Sequence, residues 1–365
     1  MKIICTRNNL RNTFQLVERF TGKSLTLPIL GSIFFEADEK KIRCVATNLE
    51  VGIEVVMPGK VIRGGSVAIP GRIANTLVQS LDEENVLLEE KDGAITIKTD
   101  SSSFTLQGLS PKDFPPLPKI KREHEFSIPA NILKKGLVQV LPAVSVSDFK
   151  PELSGVYLKR DARAVTLAAT DSFRLAEKLF QLQTPGDAVS CIIPWKTCQE
   201  LSRILPEDGE EYVTVRQGEN QVMFDFSEVH MVSRLIDGTY PDYVSIIPKD
   251  FSSHLAVPRE DLVKRVRAAS VLSSKLNDIV LSSSEDEVFI ETANSELGKS
   301  RIRLLTKGRG KETKVSFNFR YLSDGLEAID GEEALISLNG DSSPALVSSS
   351  QDQSFRYILM PIRSV

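Results

Sequence analysis

Apolar residues recur along the chain with two different periods. Helical spacing appears in six windows, 8–20, 71–81, 130–143, 195–205, 259–272 and 320–329. Leu10, Phe14, Val17 and Phe20 share one face of the first window. Ile132, Leu133, Leu137, Val140 and Leu141 do the same in the third, and Leu262, Val263, Val266 and Ala269 in the fifth. Asn8 or Asn9, Pro129 and Pro258 stand where helix starts are expected. Between helices the pattern alternates with a period of two, as in 94–99 and 213–215. Turns are marked by Asp92-Gly93, Gln217-Gly218 and Asp237-Gly238. The pattern predicts an α+β fold with a few helices on one face of antiparallel sheets.

The order of elements repeats. Leu27–Glu36 leading to Val45-Ala-Thr-Asn48 resembles Leu153–Lys159 leading to Ala168-Ala-Thr-Asp171. Both resemble Asn277–Ser283 leading to Ile290-Glu-Thr-Ala-Asn294. Thr47, Thr170 and Thr292 are 123 and 122 residues apart. Ile69–Leu77, Ile193–Leu201 and Asn318–Leu326 keep the same period, and Asp113-Phe-Pro115 recurs as Tyr240-Pro-Asp242. The chain of 365 residues therefore reads as three copies of one domain, 1–120, 125–247 and 250–365. Linkers are expected near Pro118–Glu125 and Pro248–Ser253. A period of this length is too long for a solenoid unit, and each copy can enclose its own core.

Charge divides by element. The six helical windows hold twelve basic and six acidic residues, a surplus of six. The whole chain carries −4, so the remainder carries −10. An evenly basic nucleic-acid binder is excluded, but a set of equivalent helices facing one polyanion is favoured. Duplex DNA presents one phosphate charge per ~1.7 Å and is bound by Lys and Arg without reading sequence. The acidic remainder would keep the outer surface off DNA.

Catalytic and metal-binding patterns fail. Cys5, Cys44, Cys191 and Cys198 form no Cys-x-x-Cys, and His124, His230 and His254 are dispersed, so no metal, cofactor or disulfide framework is expected. Scattered thiols, no signal-peptide core and no uncharged run of ~18 residues point to the cytoplasm and away from a membrane. Thr21-Gly-Lys-Ser24 resembles the end of a phosphate loop, but Val17 replaces the required glycine and a helical segment precedes it. Thr306-Lys-Gly-Arg-Gly-Lys311 reads as a mobile solvated turn. Glu210-Glu211 and Asp82-Glu83-Glu84 are adjacent in sequence, which does not converge carboxylates in a pocket. An enzyme is disfavoured.

Four segments in register on this repeat resemble the family of bacterial DNA polymerase III beta subunits, the sliding clamps. They are Leu27-Pro-Ile-Leu30, Ala169–Leu175, Asp237–Tyr243 and Tyr357–Arg363. The resemblance covers essentially the whole chain. It implies a head-to-tail homodimer closing a ring of six similar domains, with helices lining the hole. It implies a processivity factor that slides on double-stranded DNA without sequence preference. The DNA-facing positions it implies are Lys23, Arg72, Lys150, Lys196 and Arg203. Phe104, Leu106, Val271 and Leu272 fall at the implied subunit contact.

The family's peptide pocket takes a short segment from the replicative polymerase, the clamp loader and repair polymerases. That segment typically has a glutamine and spaced Leu/Phe anchors. The matching positions are Leu153, Thr170, Ser172, Phe173, Arg174, Leu175, Pro241, Ile246, Pro344, Ile358, Met360, Pro361, Ile362 and Arg363. Aliphatic walls, an adaptable Met and a few polar groups suit such anchors. Phe173 stands where many relatives have His or Tyr, and Ser245 where a basic residue is common. Two other readings compete with the clamp: a nucleic-acid enzyme, which metal- or ATP-dependent turnover would reveal, and a monomeric peptide-binding scaffold, in which Lys196 and Arg203 would be dispensable for DNA loading.

Overall fold

The computed structural model describes residues 1–118, 120, 124–147, 149–284 and 286–363. Part of the expected linker 118–125, residues 119 and 121–123, lies outside the described residues. Helices α1 (Arg7–Glu18), α2 (Gly71–Gln79), α3 (Ala130–Val140), α4 (Trp195–Ile204), α5 (Arg259–Ser270) and α6 (Phe319–Ala328) fall in the six predicted windows. Each follows directly on a strand, and four of those strands end at Pro70, Pro129, Pro194 and Pro258. Proline has no N–H to extend the sheet ladder and a φ compatible with entry into a helix. The other two starts use side chains. Thr6 Oγ1 accepts from Asn9 N at 3.3 Å, and Asn318 Oδ1 accepts from Arg320 N at 3.0 Å. The first helix is thus capped by Thr6 and not by Asn8 or Asn9, because Asn9 already supplies the orphan donor.

Leu10, Phe14 and Val17 are fully buried, with Phe20 beside them, so the α1 periodicity is a true core face. Leu133, Leu137 and Val140 are buried on α3, whereas Ile132 is 36% exposed. Cys5, Cys44, Cys191 and Cys198 are free and buried. Burial pushes the thiols of Cys5 and Cys191 up to about 12 and raises those of Cys44 and Cys198 as well.

The chain forms two compact units, one of Met1–Asn131 with Pro206–Leu235, the other of Ile132–Leu205 with the chain from Ile236 on. The first unit holds two sheets. A five-stranded sheet runs Lys60–Arg63, Lys2–Thr6, Asn85–Lys91, Ala94–Lys98, Ser103–Gln107. An eight-stranded sheet runs His124–Pro129, Tyr212–Gln217, Gln221–Phe226, Val229–Arg234, Val51–Met57, Ile42–Thr47, Ser32–Ala37, Gly65–Pro70. The second unit holds a nine-stranded sheet, Val189–Pro194, Gly155–Asp161, Ala164–Thr170, Arg174–Gln181, Phe355–Leu359, Ala345–Ser349, Glu333–Leu338, Ser253–Pro258, Gly308–Gly310. Its four-stranded sheet runs Gly298–Leu304, Val288–Asn294, Asp278–Ser283, Thr313–Asn318.

One junction between repeats is made twice. Val51–Val55 pairs antiparallel with Val229–Ser233, and Arg174–Lys178 pairs antiparallel with Phe355–Leu359. These pairs carry the sheets across repeats. The equivalent strands left over, Ser103–Gln107 and Gly298–Leu304, each end their sheet.

The Ala-Thr-Asn/Asp motif is a turn with a purpose. Asn48 Oδ1 accepts from the N–H groups of Glu50 and Val51, and Asp171 Oδ1 from those of Phe173 and Arg174. The residue between adopts a left-handed conformation, with φ 75° at Leu49 and 78° at Ser172. In the third copy Asn294 plays this part, accepting from Glu296 N and Leu297 N. The repeat register therefore runs through Asn48, Asp171 and Asn294, evenly spaced by 123. Thr292 does not match Thr47 and Thr170, as its hydroxyl bonds to Ala269 O and Ser300.

Thr306–Lys311 also departs from expectation. Gly308–Gly310 is a short edge strand on Ser253–Leu255 and not merely a solvated turn. Gly310 permits it: φ there is 103°, and an added Cβ would lie 2.1 Å from Ser252 O.

Packing at α6 gives a test. A Cβ on Gly325 would meet the ring of buried Tyr357 at 2.5 Å. In an exposed helix, Gly→Ala stabilises by about 1 kcal/mol. Here overpacking costs about 1–3 kcal/mol and dominates. Gly325→Ala is expected to lower the urea midpoint, and a raised midpoint would contradict this contact.

Candidate functional site

The five cations assigned to DNA are all exposed. Lys23 follows α1, Arg72 lies in the first turn of α2, and Lys196 and Arg203 lie on α4. Lys150 leads into the 3-10 turn Pro151–Leu153. Among the described residues, no carboxylate pairs with Lys23, Arg72, Lys150 or Lys196. Arg203 is different, with its guanidinium 2.6 Å from Glu200. On α5 two of the four cations are compensated within the helix, by Lys264–Glu260 at 3.9 Å and Arg265–Asp261 at 2.6 Å. Arg267 of α5 reaches Glu327 of α6 at 3.7 Å. Arg72 on α2, Lys196 on α4 and the loop residues Lys23 and Lys150 thus keep their charge without a carboxylate partner among the described residues. Lys23 belongs to an exposed loop preceded by α1 and not by a strand, so Thr21–Ser24 lacks the frame of a phosphate loop.

The peptide-site residues divide into a buried floor and an exposed rim. Leu153, Leu175 and Ile358 belong to one buried cluster with Ala168, Ile192, Tyr240 and Tyr243. Tyr240 stacks on Tyr157 with ring centroids 4.7 Å apart and meets Tyr243 edge-on at 6.1 Å. Burial pushes both Tyr240 and Tyr243 hydroxyls up, and the Glu177 carboxylate adds to this at Tyr243, so the floor stays uncharged. Thr170 is buried, its hydroxyl donating to Arg174 O at 2.6 Å. Above this floor Phe173 is 61% and Ile246 52% exposed. Ser172 and Pro241 are exposed, and Pro344, Met360 and Pro361 are half-buried.

Strand register brings the rim together. Leu175 opposes Ile358, Arg174 opposes Leu359, and Met360 N donates to Phe173 O at 2.9 Å. Two concavities flank this rim. One of about 690 Å³ is lined by Phe173, Arg174, Val146, Trp195, Arg203 and Tyr321, among others. The other, of about 660 Å³, includes Ile362 and Arg363. Arg203 therefore borders the same cavity as Phe173 and Arg174, an adjacency that spacing in the sequence does not reveal. Sequence reasoning did not single out Val146, which is 80% exposed and lines this cavity, or Phe149, which is 98% exposed next to Lys150. An aromatic next to a lysine in a loop was the available signal.

Ionic contacts fix the two strands beneath the rim. Arg174 pairs with Asp171 at 2.9 Å and with Asp324, and its guanidinium lies 4.2 Å from the Tyr321 ring centroid. Glu177 pairs with Arg356, and Lys178 lies 2.6 Å from Asp352. Burial alone would raise the Asp352 carboxyl, but hydrogen bonds from Lys178 and Ser354 outweigh it and hold it well below the usual carboxylate range.

Of the assigned contact positions, Phe104 and Leu106 are half-buried on one face of the terminal strand Ser103–Gln107. Val271, just past α5, is 73% exposed, and Leu272 is half-buried. Among the described residues no group of three His, Cys, Asp or Glu converges as a metal site. Among these residues no helix is long and apolar enough to cross a membrane either.

The DNA polymerase III beta subunit family matches in three consecutive parts: its N-terminal domain over residues 1–118, central domain over 127–242 and C-terminal domain over 244–363. A beta sliding clamp of Synechococcus elongatus is 28% identical over 100% of this chain and 99% of its own length. That of Staphylococcus aureus is 31% identical, covering 93% of each. The sliding clamp of Bacillus subtilis superposes with a TM-score of 0.95 at 29% identity, over 100% of both chains. A Pseudomonas aeruginosa clamp solved with griselimycin gives 0.96 at 26% identity, also over 100% of both. The architecture is thus that of a DNA clamp, three tandem α+β domains. The chain belongs to the DNA polymerase III beta subunit family, the beta sliding clamps, and is a DNA polymerase processivity factor.

The Lys178–Asp352 pair predicts acid sensitivity. Asp352 is depressed in the folded state, so its stabilisation is present above about pH 4, the unfolded carboxyl value, and is lost as pH falls below it. Asp352→Asn leaves Lys178 buried without its partner. It should cost about 2–3 kcal/mol at pH 7 and reduce the further loss below pH 4. Denaturation curves at pH 7 and pH 3 check both, and an unchanged pH dependence would refute the assignment.

Proposed function

We propose that the protein works in the cytoplasm as a non-catalytic, head-to-tail homodimer of domains 1–120, 125–247 and 250–365. The dimer closes around double-stranded DNA and slides without reading sequence. Lys23, Arg72, Lys150, Lys196 and Arg203 face the duplex. The apolar cluster around Leu153, Leu175 and Ile358, with its rim at Phe173 and Met360, docks peptides of the replicative polymerase, the clamp loader and repair polymerases.

The observation that carries this reading is the leftover pair of strand edges. The inter-repeat junction is made twice within the chain, and among the described residues one strand of each junction type remains without a neighbour at its outer edge. A second copy of the chain supplies the complement of each. Such a contact is heterologous, and a closed ring results when the rotation completes a circle. Phe104 and Leu106 on one edge, and Val271 and Leu272 beside the other, are the apolar groups such a contact would bury. Cations that lack carboxylate partners support sequence-blind phosphate contact, which needs point charges and no base readout.

Equivalence with the internal junctions supplies a register. Leu106 corresponds to Ser233 and Leu359, and Gly298 to Val51 and Arg174, so Leu106 should oppose Gly298 and Thr105 oppose Lys299 of the second copy. Thr105→Cys combined with Lys299→Cys is expected to give an oxidised species of about 81 kDa, twice the 40.4 kDa chain. The four native thiols are buried and leave a clean background. A purely monomeric protein at micromolar concentration would refute the dimer. Reversal at Arg72 and Lys196 together should lower the salt dependence of duplex binding by about 0.9 per lost phosphate contact. An unchanged slope would remove these residues from the DNA face.

A further inference from the structure

The 660 Å³ concavity beside the end of the chain has a chemistry that the apolar peptide site lacks. Its wall is formed by Lys314, Ser316 and Val280 on one sheet face, Asp341 and Ser342 on a loop, and Ile362 with Arg363 on the tail. Lys314 and Arg363 are exposed, and no carboxylate pairs with either among the described residues. The neighbouring acid on the same sheet face, Glu291, is already engaged by Arg301 at 3.3 Å and by the Ser282 hydroxyl at 3.0 Å. Asp341 is the one carboxylate in the wall, so the lining carries two positive charges against one negative.

The tail ties this cavity to the peptide site. Met360 N donates to Phe173 O at 2.9 Å, and Ile362 N donates to Ser316 O at 2.8 Å. Residues 360–363 therefore run from the apolar rim to the cationic cavity, a span of roughly 10 Å for three extended residues. A peptide laid along this tail reaches Lys314 and Arg363 within two or three residues of its apolar anchors.

We infer that the Lys314–Arg363 cavity receives a carboxylate flanking the apolar anchors of the docked peptide, and so selects acidic flanks. The inference rests on the peptide-site reading above. Serine hydroxyls at Ser316 and Ser342 supply donors for the remaining carboxylate lone pairs. Asp341 opposes the incoming charge and limits the gain, so its removal should strengthen the preference.

The test uses the full chain and synthetic fluorescent peptides with a glutamine and spaced Leu and Phe anchors. The peptides carry two Asp, two Asn or two Lys at either end, with free or amidated C-termini, and are read by fluorescence polarisation. The Asp-flanked peptide should bind about threefold tighter than the Asn-flanked one at low salt. The gain should vanish in Lys314→Gln and in 0.5 M salt, on the order of a 4 Å screening length, and grow in Asp341→Asn. A gain confined to free C-termini assigns the carboxylate to the chain end, and a gain that persists in the amidated peptides assigns it to a side chain. Equal affinity of Asp- and Asn-flanked peptides overturns the inference while the apolar site stands. Failure of every peptide to bind overturns both.

Discussion

A β-strand at the edge of a sheet presents a row of unsatisfied N–H and C=O groups, and a protein must cover them, blunt them or use them. In this chain the repeats use them on one another. Val51–Met57 takes Val229–Arg234 as its neighbour, and Arg174–Gln181 takes Phe355–Leu359 in the same sense.

 The backbone ladder that holds one repeat together is the same kind of ladder that joins repeats at these two junctions. Side chains reinforce the second joint, where Lys178–Asp352 and Glu177–Arg356 cross it. Two of the strands at sheet ends, Ser103–Gln107 and Gly298–Leu304, are the counterparts of the strands joined at these junctions. A head-to-tail array of such edges leaves none unpaired when its rotation closes into a ring.

Closure changes what the DNA contacts need to do. A protein held on DNA by affinity must bind phosphates tightly and pays for it in mobility. A protein held by enclosure needs only weak contacts, and the cations here are few, dispersed and placed on helices and loops. Carboxylates of α5 and α6 pair with Lys264, Arg265 and Arg267, three of the five cations on these two helices, which limits the attraction further. The proposed peptide site has a different chemistry, an uncharged aromatic and aliphatic floor whose exposed rim is set by the pairing of Leu175 with Ile358. In the proposed reading sliding and recruitment draw on separate groups, which approach each other where Arg203 borders the cavity of Phe173 and Arg174.

Much of this is legible in the sequence because it is repeated. Helical periodicity located all six helices, since apolar faces such as Leu10–Phe14–Val17 are true core faces. The turn motif was visible as Ala-Thr-Asn, but its physical basis is the Asx side chain, so matching the threonines misplaced the third copy by one residue. Thr6 was overlooked as a cap because asparagine is an equally good cap on composition alone. Gly308–Gly310 was read as a turn because glycine and charge signal loops, while its pairing with Ser253–Leu255 depends on a distant strand. The same limit hid the cavities. Lys314 and Arg363, or Arg203 and Phe173, are brought together by strand order, and no local spacing encodes that.

The central claim is retention by enclosure, and it is tested most directly by cutting the DNA. The protein is loaded onto a nicked circular plasmid, washed at high salt to remove phosphate-held molecules, and the plasmid is then linearised with a single-site nuclease. The account predicts that the protein stays on the circle through the wash and leaves over the free ends after the cut. Elution from the intact circle by salt, or persistence on the linear product, would contradict it.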